Sequence, residues 1–238
     1  MRNINVEKIY EYPETAIVIA ALNEEEGIGP TLKEIESTVN DPFLLVVDGN
    51  SVDRTASIAK ELGSEVLLQD RDTAGKGSAI AQALNHIDRD MQYIVFIDAD
   101  YTYPAENIPK MIKILEENPD VGMVIGNRFD TKFNFRKAIN SRLFFGNRLI
   151  AFAQNLLNGV KLCDPLSGLR VVRGNLLRNW NPKSKHFDIE VEMNYYIEKT
   201  GYKIREIPIQ YRHRLGEKKL KLRDGFPILK RIVIESFS

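Results

Sequence analysis

The chain has 238 residues, 43% of them apolar and 28% charged, which is the composition of an ordinary globular protein and excludes a disordered or collagen-like one. With 33 Lys and Arg against 33 Asp and Glu the formal net charge is zero, which argues against nucleic acid as a partner, because backbone-phosphate binding leaves an excess of basic residues. One cysteine, Cys163, excludes an intramolecular disulfide and a zinc site built on several thiolates, and it fits a reducing compartment.

Apolar runs rich in β-branched residues alternate with segments of helical period. TAIVIAA (15–21) reads as a strand and 28–39 as a helix; FLLVVD (43–48) is the second strand, followed by a helix from Asp53 or Thr55 to the stop at Gly63. EVLLQ (65–69) is a third strand and 75–88 a third helix. YIVFID (93–98) is a continuous apolar run ending in acid, as a buried parallel strand should look. Pro104 opens a helix to Glu117, and VGMVIG (121–126) is a fifth strand. The second half holds a long helix over 135–158, a short strand GLRVV, a helix over 188–199, a strand KIREIPIQ (203–210) and an amphipathic tail helix beginning at Gly225. No window reaches the roughly 18 apolar residues of a membrane span, and no secretory signal is expected from the first residues.

This order predicts a single α/β domain, a mostly parallel central sheet with helices on both faces. Ligands of such sheets bind beyond the carboxyl ends of the strands. The residues there are Asn23 and Glu24, Asp48, Asp98 and Asp100, and Asn127 and Arg128. Asp98 and Asp100 stand at i and i+2, so in extended backbone their carboxylates point the same way and suit one hard divalent cation bridging to phosphate. Asp48 suits hydrogen bonds from a base or ribose, while Asp53 reads first as a helix N-cap and only second as a ligand contact. Gly75-Lys76-Gly77 opens a helix with backbone donors and a charge suited to phosphate or sugar, but it lacks the spacing of a Walker A loop. Arg128 ends a buried strand, where a guanidinium suits bidentate phosphate recognition. His86, His186 and His213 show no metal-ligand spacing, and Cys163 has no evident base.

Taken together, ALNEEEGI, VVDGNSVDRT, GKGSA, FIDADYTYP, VIGNR, DPLSGLRV, FDIEVEMN, EIPIQYRHRLGEKKL and LRDG resemble the inverting family 2 glycosyltransferases of GT-A fold, and within them the polyprenyl-phosphate sugar synthases. The resemblance runs from Thr15 to Asp224. It implies that Leu22, Asn23, Glu24, Asp48, Lys76, Asp98, Ala99 and Asp100 bind the donor. It implies Asp98 and Asp100 as metal ligands, with Thr102 where some members carry a Gln ligand. Arg128 and Arg142 match arginines that hold an acceptor phosphate, and Arg214 and Lys219 match a basic pair that contacts phosphates; Asp100, Arg128 and Arg142 would be the catalytic set. The implied cofactor is Mg2+ or Mn2+.

The implied reaction moves a hexose from a nucleotide-diphosphate sugar to a polyprenyl phosphate, with UDP-hexose or UDP-N-acetylhexosamine favoured over GDP-mannose. A phosphate dianion attacks without a general base. A hydroxyl acceptor, the alternative, needs one, and Asp188, Glu190 and Glu192 are the candidates. The expected organisation is a nucleotide-sugar half (1–127), an acceptor half (128–222) and a tail helix (223–238). The expected place is cytoplasmic, peripheral on the membrane surface, with a homo-oligomer left open. The apolar stretch Leu143, Phe144, Phe145, Leu149, Ile150 and Phe152 and the tail residues Phe226, Ile228, Leu229, Ile232 and Val233 serve either internal packing or that surface.

Overall fold

The computed structural model describes residues 10–11, 14–129, 142–217, 219 and 224–237. In chain order the elements are β1 (Tyr10–Glu11), β2 (Thr15–Ala21), α1 (Glu25–Thr38), β3 (Val39–Asn40), β4 (Phe43–Asp48), α2 (Thr55–Glu61), β5 (Glu65–Leu68), α3 (Lys76–His86), β6 (Tyr93–Phe96), α4 (Asn107–Glu117), β7 (Val121–Asn127), α5 (Arg142–Asn158), β8 (Arg170–Arg173), α6 (Gly174–Leu177), α7 (Ile189–Lys199), β9 (Lys203–Pro208) and α8 (Gly225–Glu235).

Strands β6 and β7 are buried at every residue, and β2 at all but Ala20, which is why they read as unbroken apolar runs. They lie in a seven-stranded sheet of order β5-β4-β2-β6-β8-β7-β9, parallel except for β8, which is antiparallel to both β6 and β7. Alternate side chains feed two cores. Ile17, Ile19 and Val46 pack with Ile28, Leu32 and Ile35 of α1 and Ile108, Met111 and Ile112 of α4. Val18, Leu45 and Val47 pack on the other face with Ala79 and Ile80 of α3 and Ile189 and Met193 of α7. Each such aliphatic side chain contributes about 1.5–3 kcal/mol of transfer free energy. One α/β domain with helices on both faces is therefore what the chain forms.

The antiparallel β8 matters for function. Arg170 pairs with Phe96 and with Ile125, so the loop before it arrives at the carboxyl ends of β6 and β7. Parallel pairing of β7 with β9, ending Asn127 to Pro208, delivers the segment after β9 to the same edge. Thus the second half of the chain contributes to the site that the first half opens.

Helix α1 starts at Glu25, three residues before the expected Ile28, because Glu25 and Glu26 fill its first turn, where carboxylates are favoured. Helix α4 starts at Asn107, not Pro104, since Pro104 and Ala105 form a turn whose carbonyls accept from Asn107 and Ile108. The short parallel pair β1–β3 and the single-turn α6 carry no periodic signal and were not expected. The segment 135–141 of the expected long helix lies outside the described residues.

Candidate active site

The turn after β6 is held by helix α1. Thr31 of α1 donates to the carbonyl of Ala99 at 3.3 Å and accepts from the amide of Tyr101 at 3.1 Å. Tyr101 sits at φ 64°, a left-handed conformation costly for a residue with a Cβ, so the turn is kept by its surroundings. Gly27 lies so close beneath that a Cβ there would come within 2.5 Å of the Ala99 carbonyl.

Asp98 and Asp100 emerge from this turn into different settings. Asp100 is 3% exposed; its Oδ1 accepts from the Thr102 amide at 3.1 Å and the Thr102 hydroxyl at 2.6 Å, and its Oδ2 from Arg214 Nη1 at 2.5 Å. Burial, aided by the nearby Asp98 charge, raises the Asp100 carboxyl. Asp98 accepts from Lys76 Nζ at 2.7 Å. Burial alone would raise it, but the Lys76, Arg128 and Arg214 cations outweigh burial and hold it below the usual carboxylate range. Backbone presses on Asp98 from behind: a Cβ on Gly168 would meet its carboxylate atoms at 2.4–2.8 Å.

Lys76 is the first residue of α3, and Nζ also lies 2.7 Å from Glu190 Oε1 on α7. Burial would lower this ammonium; Asp98 and Glu190 more than reverse that and hold it well above its ordinary value. Lys76 is thus the centre of a carboxylate–ammonium–carboxylate row, with Glu190 buried at one end and Asp98 partly open at the other.

Glu24 completes the other side. Its carboxyl, 6% exposed, accepts from Arg214 Nη2, and its Oε2 is buried without a hydrogen bond. Burial pushes it up to about 7 against the pull of Arg214. Lys219 Nζ donates to the Asn23 carbonyl at 3.1 Å, so the basic pair predicted for phosphate, Arg214 and Lys219, closes over Asn23 and Glu24. The backbone of this segment is fastened too: Arg212 and Leu215 amides donate to the carbonyls of Thr102 and Asp100 at 2.9 and 3.1 Å.

At the end of β4, Asp48 is buried and accepts from the Ser51 amide at 2.8 Å and hydroxyl at 2.6 Å. Leu22 stands 45% exposed nearby, next to Asn23 and Gly49. Asp53 accepts from the Thr55 amide and hydroxyl at 3.0 and 2.5 Å and from the Glu25 amide at 3.1 Å; it ties two helix starts together.

Arg128 forms a fork on Asp164, Nε to Oδ2 at 2.8 Å and Nη2 to Oδ1 at 2.7 Å. Asp164 is fully buried and is set by Glu206, which accepts from its amide at 2.7 Å, and by Asn147 on α5 at 3.2 Å. The guanidinium lies 5.5 Å from the Tyr211 ring centre. Asp164, Glu206 and Gly168 received no role from the sequence; DPLSG was visible as a motif, but nothing in it said which residue it serves. The Arg142 side chain lies outside the described ones.

Of the predicted residues, Asn23, Glu24, Lys76, Asp98, Ala99, Asp100, Thr102, Arg214 and Lys219 come together in one cluster, with Asp48 and Leu22 at the neighbouring strand end. A family model described as glycosyl transferase family 2 matches residues 16–180, more than half the chain.

The chain belongs to glycosyl transferase family 2.

It is a nucleotide-sugar glycosyltransferase, and the expected likeness to polyprenyl-phosphate sugar synthases holds. It is 32% identical over 213 residues to the dolichyl-phosphate hexose transferase of Haloferax volcanii, covering 89% of this chain and 88% of that one. It is 26% identical over 227 residues to the dolichol-phosphate mannosyltransferase of Pyrococcus furiosus, covering 91% of this chain but only 62% of that one. In fold, this family 2 glycosyltransferase matches the Mycobacterium tuberculosis glucosyl-3-phosphoglycerate synthase solved with Mn2+, UDP-glucose and phosphoglyceric acid. The TM-score is 0.73 at 20% identity, covering 94% of this chain and 79% of that one.

Proposed function

We propose that this enzyme transfers a hexose, with inversion, from a nucleotide-diphosphate sugar to a polyprenyl phosphate, aided by Mg2+ or Mn2+. The observation that carries the choice of acceptor is the state of the three candidate bases. Glu190 Oε1 is bound to Lys76 while its Oε2, without a hydrogen bond, is buried away from solvent; Glu192 accepts from the Lys183 and Ser184 amides at 2.7 Å each, and Asp188 accepts from Arg231 at 3.3 Å. A hydroxyl acceptor needs a carboxylate ready to take its proton. A phosphate monoester has a second pKa near 6, is largely a dianion at neutral pH, and needs none.

Glu24 and Asp100 fit a divalent cation, because these two buried carboxylates already share a single positive group, Arg214. Asp98 and Asp100 would hold the ion, with Thr102 keeping Asp100 turned toward it; among the described residues no three acidic, histidine or cysteine side chains already form a metal-binding group. When bound, the ion neutralises charge on the departing diphosphate. A nearby orphan oxygen, Glu24 Oε2, supports the same reading.

The chain's own part is charge placement. Leu22, Asn23 and Asp48 would seat the nucleoside; Lys76 would hold Asp98 in place against the sugar or diphosphate. Arg214 and Lys219 would turn to the diphosphate as it leaves. Arg128 keeps three of its five N–H groups beyond those spent on the Asp164 side chain, enough for an acceptor phosphate. Arg142, at the start of α5, would be its companion. Holding two anions together against their repulsion is the catalytic task. Backside attack then gives a β-linked lipid phosphate from an α-linked donor.

We place the nucleotide sugar on residues 1–127, the acceptor on 128–222 and the tail on 223–238, with a UDP-sugar preferred. The enzyme would work in the cytoplasm at the membrane surface; among the described residues no helix is long and apolar enough to cross a bilayer. The test is transfer from UDP-glucose, UDP-N-acetylglucosamine and GDP-mannose, offered separately with Mn2+ and a polyprenyl phosphate. Lipid-linked sugar from one donor, absent in Asp100→Ala, is the expected result; nucleotide release with no lipid product contradicts it.

A further inference from the structure

Helix α5 turns amides as well as Ile150 and Ala151 inward and leaves its larger described apolar side chains outside. Its buried side carries three amides, Asn147, Gln154 and Asn158, at 5%, 0% and 9% exposure. Each donates inward: to Asp164 at 3.2 Å, to the Val191 carbonyl at 2.7 Å, and to the Ile232 carbonyl at 3.0 Å. The opposite side carries Leu149, Phe152 and Leu156, 57–68% exposed. Their spacing of three and four puts them on one stripe. A helix facing water shows the reverse pattern, with amides outside and phenylalanine inside.

Helix α8 packs beside α5 through Ile150, Ile228 and Ile232, and exposes Phe226 and Val233, with Phe237 just beyond its end. Of the twelve large apolar side chains exposed among the described residues, nine belong to α5, α8 or Phe237. Concentration on one pair of helices, not scatter, is what marks an interaction surface.

Charge says which partner. Helix α5 contains no Asp or Glu, and the one acid of α8, Glu235, is 9% exposed and turned onto Arg231 at 3.4 Å. Among the described side chains of these helices the exposed charges are Arg148 and Lys230. Apolar stripes flanked by cations suit an anionic lipid surface. A second copy of the chain would set the same cations against each other with no exposed carboxylate in either helix to pair them.

We infer that α5 and α8 form a docking face for an anionic bilayer, Phe152, Leu156 and Phe226 entering the acyl boundary while Arg148 and Lys230 meet the headgroups. The inference rests on the lipid-phosphate reading and says how that acceptor is reached. Asn147 joins α5 to Asp164, which holds Arg128, so the proposed phosphate site lies against the buried side of the docking helix. A polyprenyl chain would stay in the bilayer while its phosphate meets Arg128.

The experiment is flotation of the full chain with vesicles of phosphatidylcholine alone or mixed with phosphatidylglycerol, at low and high salt. The wild-type chain is expected to float with the anionic vesicles. Phe152→Gln/Leu156→Gln should lower partition by about tenfold or more while the unfolding temperature and turnover of a short, water-soluble prenyl phosphate stay as in the wild type. Arg148→Gln/Lys230→Gln should weaken binding to anionic vesicles only and remove most of its salt dependence. A wild-type chain that stays with the unbound fraction overturns the inference. So does a dimer that the double glutamine variant splits, which would make a second copy the occupant. Vesicle binding that behaves as expected without turnover of any prenyl phosphate keeps the docking face and rejects the proposed reaction.

Discussion

Arg214 joins two carboxylates that lie 76 residues apart in sequence, donating from Nη1 to Asp100 at 2.5 Å and from Nη2 to Glu24. A guanidinium there competes with any divalent ion for the same oxygens. Replacing Arg214 by Gln should tighten binding of Mn2+ alone by about tenfold, since a unit charge a few ångströms away is worth at least ~1.4 kcal/mol at an effective dielectric near 20. The same variant should lose transfer activity by about a hundredfold, because the diphosphate loses its partner. Titration by Mn2+ spin resonance beside a transfer assay separates the two effects.

Glu24 makes stability depend on pH. Burial raises its carboxyl from 4.5 to about 7, so between those values the folded chain keeps a proton that the unfolded chain has lost. Its contribution is complete below pH 4.5 and fades as pH rises to 7, by roughly 3 kcal/mol at most. Urea midpoints near pH 5 and near pH 8, without divalent ions, should differ more for the wild type than for Glu24→Gln.

The Asp98–Lys76–Glu190 row predicts a strong coupling. Lys76→Met leaves the buried Glu190 and the partly open Asp98 facing each other without their cation and should cost about 1–3 kcal/mol in chemical denaturation, less than a fully buried pair. Adding Glu190→Gln to that variant should return a good part of the loss, a non-additivity that independent residues would not show. Glu190→Gln alone should leave no missing limb in the pH profile of transfer, as a general base would.

Arg128 and Asp164 form a second such pair. Arg128→Ala strands the fully buried Asp164 and should destabilise by about 3–5 kcal/mol, largely recovered in Arg128→Ala/Asp164→Ala. Arg128→Lys keeps the charge but not the fork. It should raise the KM for the acceptor about tenfold while leaving the donor KM near its original value.

Gly168→Ala tests the backing of Asp98 directly. The added Cβ would fall within 2.4–2.8 Å of the carboxylate, so the acid must move. Transfer should fall by a factor of ten or more, with a loss of stability of about 1–3 kcal/mol. An unchanged rate would mean that the position of Asp98 is immaterial.

Much of the fold was legible because burial on both faces of a parallel sheet leaves continuous apolar runs. TAIVIAA and FLLVVD match β2 and β4 residue for residue. The direction of β8 was not legible, since GLRVV pairs equally well either way and only its neighbours decide. In the site, acids at strand ends such as Asp48 and Asp100 were visible because the parallel sheet fixes where strand ends go. Their partners were not. Lys76 to Glu190, Arg128 to Asp164 and Arg214 to Glu24 span 114, 36 and 190 residues, and no local pattern encodes a pairing that only packing creates. The α5 stripe was readable as apolar, but helical period alone does not tell its inner side from its outer one.

The central claim is that the nucleophile is a phosphate dianion needing no base from the protein. The direct measurement compares a polyprenyl phosphate with the corresponding free polyprenol at one chain length, same donor and same Mn2+. Turnover of the phosphate alone, giving a β-linked sugar phosphate, is the predicted result. Equal or faster turnover of the alcohol, abolished by Glu190→Gln, would contradict it and make Glu190 the base.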